Sequence, residues 1–190
     1  MGTDKALLLY NGVPLIKIIV DEMKLIASDI AVVVGKKNPT DFRATLGTNV
    51  ELIADDFELD NPMGGMLTAF SHMKNQYVAV LACDSPFANS RAVKFLFEQA
   101  VGHSAAIPAW DENKLEPLCA VYNAIESRKA GLEAMKVGQI GCKHLISHLS
   151  DPRFVNVSRL RVFDGELSFL RNINSKEDYG SLPKVSKSSA

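Results

Sequence analysis

The absences in this sequence narrow the field first. It has only three cysteines, Cys83, Cys119 and Cys142, far apart and with no CxxC pair. An odd, scattered set argues against a disulfide framework and for a reducing compartment. No apolar run reaches the length needed to span a bilayer, so no membrane partner is expected. The opening Met1-Gly2-Thr3-Asp4-Lys5-Ala6 has no apolar signal core, and Ala6 stands where a myristoylation motif has Ser or Thr. A cytoplasmic protein is the expectation. Charge of one sign is also lacking: the net charge is -1 and the pI about 6.4, so no basic face for nucleic acid is indicated. There is no GxSxG, Walker A or GxGxxG segment, which removes the usual signatures of the nucleophile-elbow hydrolases, P-loop proteins and dinucleotide binders. His144 and His148 have the i, i+4 spacing of metal ligands on a helix, but no HExxH surrounds them, and a structural or solvent role is expected.

What remains is an ordinary globular composition, 47% hydrophobic and 23% charged over 190 residues, enough for one domain with a buried core. No internal repeat or interior linker divides it. A single domain over residues 1–182 is expected, followed by a Ser/Lys-rich, disordered tail over 183–190. Near-continuous apolar runs at Asp29–Gly35, Val50–Ala54 and Tyr77–Ala82 predict strands covered on both faces. Helical patterns fall between and after them at Leu15–Ala27, Thr40–Leu46, Gly65–Met73 and Asn89–Val101, with Asn89 as an N-cap. Two more strands are expected at Ser104–Pro108 and Lys114–Tyr122, then helices at Glu126–Met135 and Cys142–Leu149. Apolar stretches follow near Phe154–Val157 and Leu167–Leu170, and Ser175 opens a short helix. The rhythm predicts a Rossmann-like, doubly wound α/β fold.

In such a fold ligands gather beyond the carboxyl ends of the strands. Those ends carry Gly35-Lys36-Lys37-Asn38, Asp55-Asp56 and Cys83-Asp84-Ser85-Pro86. Asp84 is the foremost candidate, because a carboxylate leaving an apolar strand needs a partner, and a hard cation bridging phosphates would be one. Capping the following turn is the simpler alternative for Asp84. Lys5 could neutralise phosphate charge, although an isolated Lys near a terminus is more often a solvated surface residue. Asn61-Pro62-Met63-Gly64-Gly65-Met66 leads into a helix, where glycines allow close approach and the helix start favours anions. Pro117, within the expected strand Lys114–Tyr122, suggests an edge or bulge that could aim Glu116 at a pocket or equally serve only as sheet punctuation. Cys83 has no indicated base and reads as a small buried residue.

Taken in order, these pieces resemble the molybdenum cofactor guanylyltransferases, a MobA-like nucleotidyltransferase family. Met1-Gly2-Thr3-Asp4-Lys5 resembles the end of that family's signature, R-M-G-x-D-K, and Asn11-Gly12-Val13-Pro14-Leu15 follows it. Ala54-Asp55-Asp56, then Asn61 to Met66, resemble the central acidic residue and the G-P-L-x-G segment. Ala82-Cys83-Asp84-Ser85-Pro86-Phe87 is similar to C-D-x-P-F, Glu116 to Tyr122 to Q-P-L-C-A-L-Y, and Asn172 to Asp178 to N-x-N-T-P-E-D. The resemblance implies a three-layer mixed sheet of the nucleotide-diphospho-sugar transferase type. It implies GTP and molybdenum-molybdopterin as substrates, with Mg2+ as cofactor. Lys5 would contact phosphates and Asp84 would bind GTP and Mg2+, the two forming the catalytic pair. Asp55, Lys37, Asn38, Gly64 and Gly65 would hold the nucleoside and base, while Glu116, Asn172 and Asn174 would lie on the pterin side. Molybdoenzymes that accept the cofactor, or other cofactor-biosynthesis proteins, are the partners implied.

The family places a strand and a Gly-rich loop, L-A-G-G-x-S-x-R, before M-G-x-D-K, whereas this chain begins at that Met. The expectation is therefore a sheet whose first strand is missing. Smaller departures are Asn61 for Gly, Glu116 for Gln and Ser175-Lys176 for Thr-Pro. Two other readings stand beside the guanylyltransferase. A cytidylyltransferase for the same cofactor, or a sugar-phosphate nucleotidyltransferase, would share the chemistry and differ in base or acceptor. A catalytically silent module would bind and hand over the finished cofactor.

Overall fold

A computed structural model describes residues 4–35, 39–57, 59–173 and 178–179. The Asp4 carboxylate accepts from the Ala6 N–H at 3.1 Å and opens a 3-10 turn over Lys5–Leu7. Strands β1 (Leu9–Tyr10) and β2 (Val13–Pro14) then pair as a hairpin. Its two turn residues, Asn11 and Gly12, sit at φ 50° and 81°, the left-handed pair that a two-residue hairpin requires and that Asn-Gly supplies at little strain. This hairpin was not among the expected strands. Helix α1 (Leu15–Met23) buries Leu15, Ile16, Ile19, Val20 and Met23 along one stripe. It ends four residues before the expected Ala27. Residues 24–27 continue as turns, with the Ile26 and Ala27 N–H groups both on the Met23 carbonyl.

A βαβ unit follows: β3 (Ala31–Val34), α2 (Pro39–Leu46) and β4 (Glu51–Ala54), with β3 and β4 parallel. Helix α3 (Pro62–His72) starts earlier than Gly65, because Asn61 caps it by accepting from the Met63 N–H at 2.9 Å and Pro62 fills the first helical position. Then come β5 (Tyr77–Leu81), α4 (Ser90–Ala100), β6 (Ala105–Ala109), β7 (Cys119–Asn123), α5 (Ala124–Lys136), α6 (Cys142–Ser147) and β8 (Pro152–Asn156). Asn89 caps α4 as expected, accepting from the Ala92 N–H at 3.1 Å.

The four-stranded sheet runs β5-β7-β6-β8, with β7 antiparallel to both neighbours and β8 parallel to β6. The expected strand Lys114–Tyr122 is confined to its second half. Pro117 has no N–H for the ladder, and the Tyr122 hydroxyl donates to the Pro117 carbonyl at 2.8 Å, so the segment before Cys119 folds back as a turn. Only an isolated bridge from Leu115 to Ala109 precedes it.

Strand β7 shows how two cores share one sheet. Ala120 and Tyr122 point into a cluster with Met63, Leu67 and Phe70 of α3, Ala130 of α5 and Leu145 of α6. Cys119 and Val121 point the other way, against Ala92 and Leu96 of α4 and Leu160, Leu167 and Phe169 of the late 3-10 turns. Alternation by two thus places helices on both faces, giving three layers. Leu67, Leu96, Val121 and Tyr122 are fully enclosed, each worth roughly 1.5–3 kcal/mol of apolar transfer for the aliphatic members. The two-face cover expected of β3 and β5 is incomplete: Val32, Val33, Val80 and Leu81 are only half-buried. Each strand pairs on one side only among the described residues. No described strand joins the β3–β4 pair to the four-stranded sheet. Among the described residues no helix is long and apolar enough to cross a membrane. The tail 183–190, the helix expected from Ser175, and the opening Met1-Gly2-Thr3 lie outside the described residues.

Candidate active site

Strands β5 and β6 both run antiparallel to β7, so their carboxyl ends reach the same edge of the sheet. Asp84 stands just past β5, and Lys5 comes to it from the first 3-10 turn, Nζ to Oδ2 at 3.8 Å. The Asp84 side chain is 17% exposed and that of Lys5 42%, so the carboxylate carries the desolvation and the ammonium stays wet. Burial pushes the Asp84 carboxyl above its ordinary 3.8, opposed by the Lys5 charge and a backbone hydrogen bond. This is a carboxylate held short of full compensation, one that a further cation would stabilise.

The C-terminal segment is fastened to the same turn. The buried Ser85 hydroxyl donates to the Phe169 carbonyl at 2.8 Å and reaches the Arg171 carbonyl at 3.4 Å. The Ile173 N–H donates to the Asp84 carbonyl at 2.9 Å. Asn172, exposed and next to buried Ile173, is thereby brought beside Asp84 across 88 residues of sequence. Its expected companion Asn174 lies outside the described residues, as do Lys37 and Asn38.

Asp55 stands past the end of β4. Its Oδ1 accepts from the Phe57 N–H at 3.0 Å and from the Thr68 hydroxyl at 2.7 Å. Its Oδ2 lies against Gly64 in the first turn of α3, where a Cβ would come within 3.3 Å of it and equally close to Leu59 and Phe57. A side chain at position 64 would push Asp55, Leu59 and Phe57 back by a few tenths of an ångström, so Gly64 keeps this contact close. Gly65 has more room, facing Val33 of β3 at 3.8 Å. Thr68 was not anticipated. The available signal was a polar β-branched residue in the apolar run Met66-Leu67-Thr68-Ala69-Phe70.

Glu116 is half-buried and accepts from the Trp110 indole N–H at 2.7 Å, while Lys114 lies over the Trp110 ring at 4.6 Å. The carboxylate that replaces the family's Gln is thus partnered within its own hairpin. Cys83, read as buried, is exposed, because β5 ends at Leu81 and residue 83 falls in the turn beyond it. Buried Cys119 has its thiol pushed up to about 12 by burial and by Glu116, so it stays protonated. His144 and His148 each place Nδ1 near a backbone carbonyl, those of Ile140 and His144. Among the described residues no three His, Cys, Asp or Glu side chains gather to hold a metal. Asp84 alone still fits Mg2+, which commonly takes one or two carboxylates and completes its shell with phosphates and water.

The three-layer mixed α/β arrangement is the fold of solved nucleotidyltransferases, and the matching family model makes this chain one of that class. The solved structure of molybdopterin-guanine dinucleotide biosynthesis protein A from Archaeoglobus fulgidus superposes with a TM-score of 0.78 at 23% identity, covering 94% of this chain and 88% of its own. A 2-C-methyl-D-erythritol 4-phosphate cytidylyltransferase from Thermus thermophilus shares the fold with a TM-score of 0.69 at 16% identity, covering 93% and 90%. Two proteins called probable molybdenum cofactor guanylyltransferase, from Methanosarcina mazei and Methanosarcina acetivorans, are each 39% identical over 127 and 132 residues, or 65% and 67% of this chain. The chain spans only 55% and 57% of their lengths. The family model of the MobA-like NTP transferase domain matches residues 1–151, and the chain belongs to that family.

Proposed function

We propose that this chain transfers GMP from GTP to the terminal phosphate of molybdenum-molybdopterin. An oxygen of that phosphate attacks the α-phosphorus of GTP, the α–β phosphoanhydride bond breaks, and pyrophosphate leaves with the electron pair. The products are the guanine dinucleotide form of the cofactor and pyrophosphate, the former for delivery to a molybdoenzyme. The observation that carries this reading is the junction at Asp84. One turn holds the Lys5–Asp84 pair by its side chains and the Asn172 segment by its backbone.

Phosphoryl-type transfer asks the protein chiefly for positioning and charge neutralisation. Lys5 is a mobile point charge for the phosphates, only partly shielded and long enough to leave Asp84 for them. Asp84 would hold Mg2+, which when bound would neutralise phosphate charge and align the oxygens. Asp55, whose Oδ2 lies against Gly64, offers carboxylate acceptors to the hydroxyl or N–H donors of the nucleoside. Lys37 and Asn38 serve that side as well. Asn172 and Asn174 meet the pterin, and Glu116 borders it, turned to Trp110.

Pyrophosphate release with GTP, Mg2+ and molybdenum-molybdopterin tests the assignment. Release from GTP but not CTP, abolished by Asp84→Asn, is expected. Turnover with CTP alone would transfer the activity to the cytidylyl branch, and wild-type turnover in Asp84→Asn would remove the site. No release from either nucleotide would leave a binding module.

A further inference from the structure

Helix α3 presents Gly64, Thr68 and His72 at i, i+4 and i+8, one stripe rising a turn at a time. Each member meets the dipeptide Asp55-Asp56 that ends β4. Gly64 lies against Asp55 Oδ2, the Thr68 hydroxyl bridges the two residues, and His72 Nε2 stands 3.0 Å from Asp56 Oδ2. The centre of this contact is the informative part. A hydroxyl has one proton, and in a helix a Ser or Thr usually gives it to the carbonyl four residues back, as Ser71 does here to Leu67. Thr68, fully buried, gives its proton to Asp55 Oδ1 at 2.7 Å and accepts from the Asp56 N–H at 3.0 Å. With the Phe57 N–H also on Oδ1, one carboxylate oxygen is saturated by donors and the carboxylate plane is fixed.

We propose that Thr68 is a positioning residue for nucleotide recognition: it orients the Asp55 carboxylate so that its second oxygen meets donor groups of the nucleoside. This rests on the proposed function, in which Asp55 faces the nucleoside. Thr68 touches no substrate. It sets the direction of a group that does, so it governs nucleotide affinity and leaves the chemical step alone.

Thr68→Val keeps the shape and removes the hydroxyl. It is expected to raise Kd and KM for GTP about tenfold, the scale of one net hydrogen bond, with kcat changed less than about twofold. Thr68→Ser should restore both to within about threefold. In Asp55→Asn/Thr68→Val the loss should not exceed that of Asp55→Asn alone, since both act through one carboxylate. Without any ligand, the Asp56 amide in Thr68→Val should exchange at least about tenfold faster, while the β4 ladder amides do not change. Thr68→Cys, with a weak donor, carries the same tests if the valine variant does not fold, and its values should be intermediate. Undiminished GTP binding in Thr68→Val, Ser behaving no better than Val, or additive losses in the double variant would each overturn the positioning role alone. Failure of the unchanged protein to bind GTP would overturn the proposed function, and this role with it.

Discussion

Ser85→Ala cuts the tie between the Asp84 turn and the C-terminal segment. Ser85 is 4% exposed, and its hydroxyl donates at 2.8 Å to the carbonyl of Phe169, a residue 1% exposed. Deleting it leaves a buried carbonyl without its donor, a penalty of about 1–3 kcal/mol. Taking about 2 kcal/mol, and about 2–4 °C per kcal/mol for a chain of this size, Tm should fall by about 4–8 °C. The Ile173–Asp84 backbone bond survives, but residues 169–173 lose their second anchor, so Asn172 should become less well placed. Acceptor KM is therefore expected to rise several-fold, while GTP affinity, which depends on Lys5, Asp84 and Asp55, changes less than about twofold. Ser147→Ala is the control: its hydroxyl also donates to a carbonyl at 2.8 Å, but on the exposed side of α6, and the change should stay within about 0.5 kcal/mol. Calorimetric melting and steady-state kinetics read both halves. A Tm for Ser85→Ala within about 1 °C of the parent, or an equal loss of GTP affinity, would refute the reasoning.

Three further outcomes are expected. Burial raises the Asp84 carboxyl above 3.8, so the ionised form opposes folding once pH exceeds the raised value, and the opposition vanishes below 3.8. Asp84→Asn should therefore raise Tm at pH 7 and leave it unchanged below pH 3.8, as melts at the two pH values will show. Tyr122→Phe leaves the half-buried Pro117 carbonyl without its donor and should lower stability by about 1–2 kcal/mol in guanidinium unfolding. His144→Ala should leave turnover unchanged, because its ring only meets the Ile140 carbonyl on an exposed face.

The fold was legible wherever local chemistry and burial agree. Tyr77–Leu81 is an apolar run, and the polar turn after it carries Asp84, as its pattern indicated. Asn89 is a cap because its side chain completes the first turn of α4. Two local signals were present and passed over: Asn11-Gly12 between short apolar pairs, and Asn61-Pro62 as cap and first helical residue. The insertion of β7 between β5 and β6 was not legible, because strand order is a tertiary choice that alternation alone leaves open. Nor was the site fully readable. Resemblance implied roles for Lys5, Asp84 and Asn172, but Lys5 meets Asp84 through the first 3-10 turn and Asn172 arrives through backbone bonds. Glu116 was expected to be aimed at a pocket, and its partner Trp110 was not legible because the two meet only when the hairpin closes. Thr68 carries no motif, and its meaning comes from the side of α3 that faces β4.

Titration calorimetry of this chain with GTP and with CTP, each with Mg2+, tests the central claim most directly. The account predicts saturable binding of GTP, at least about tenfold tighter than CTP, and weakened by Asp84→Asn. Equal affinity for the two nucleotides, or GTP binding indifferent to Asp84, would contradict it.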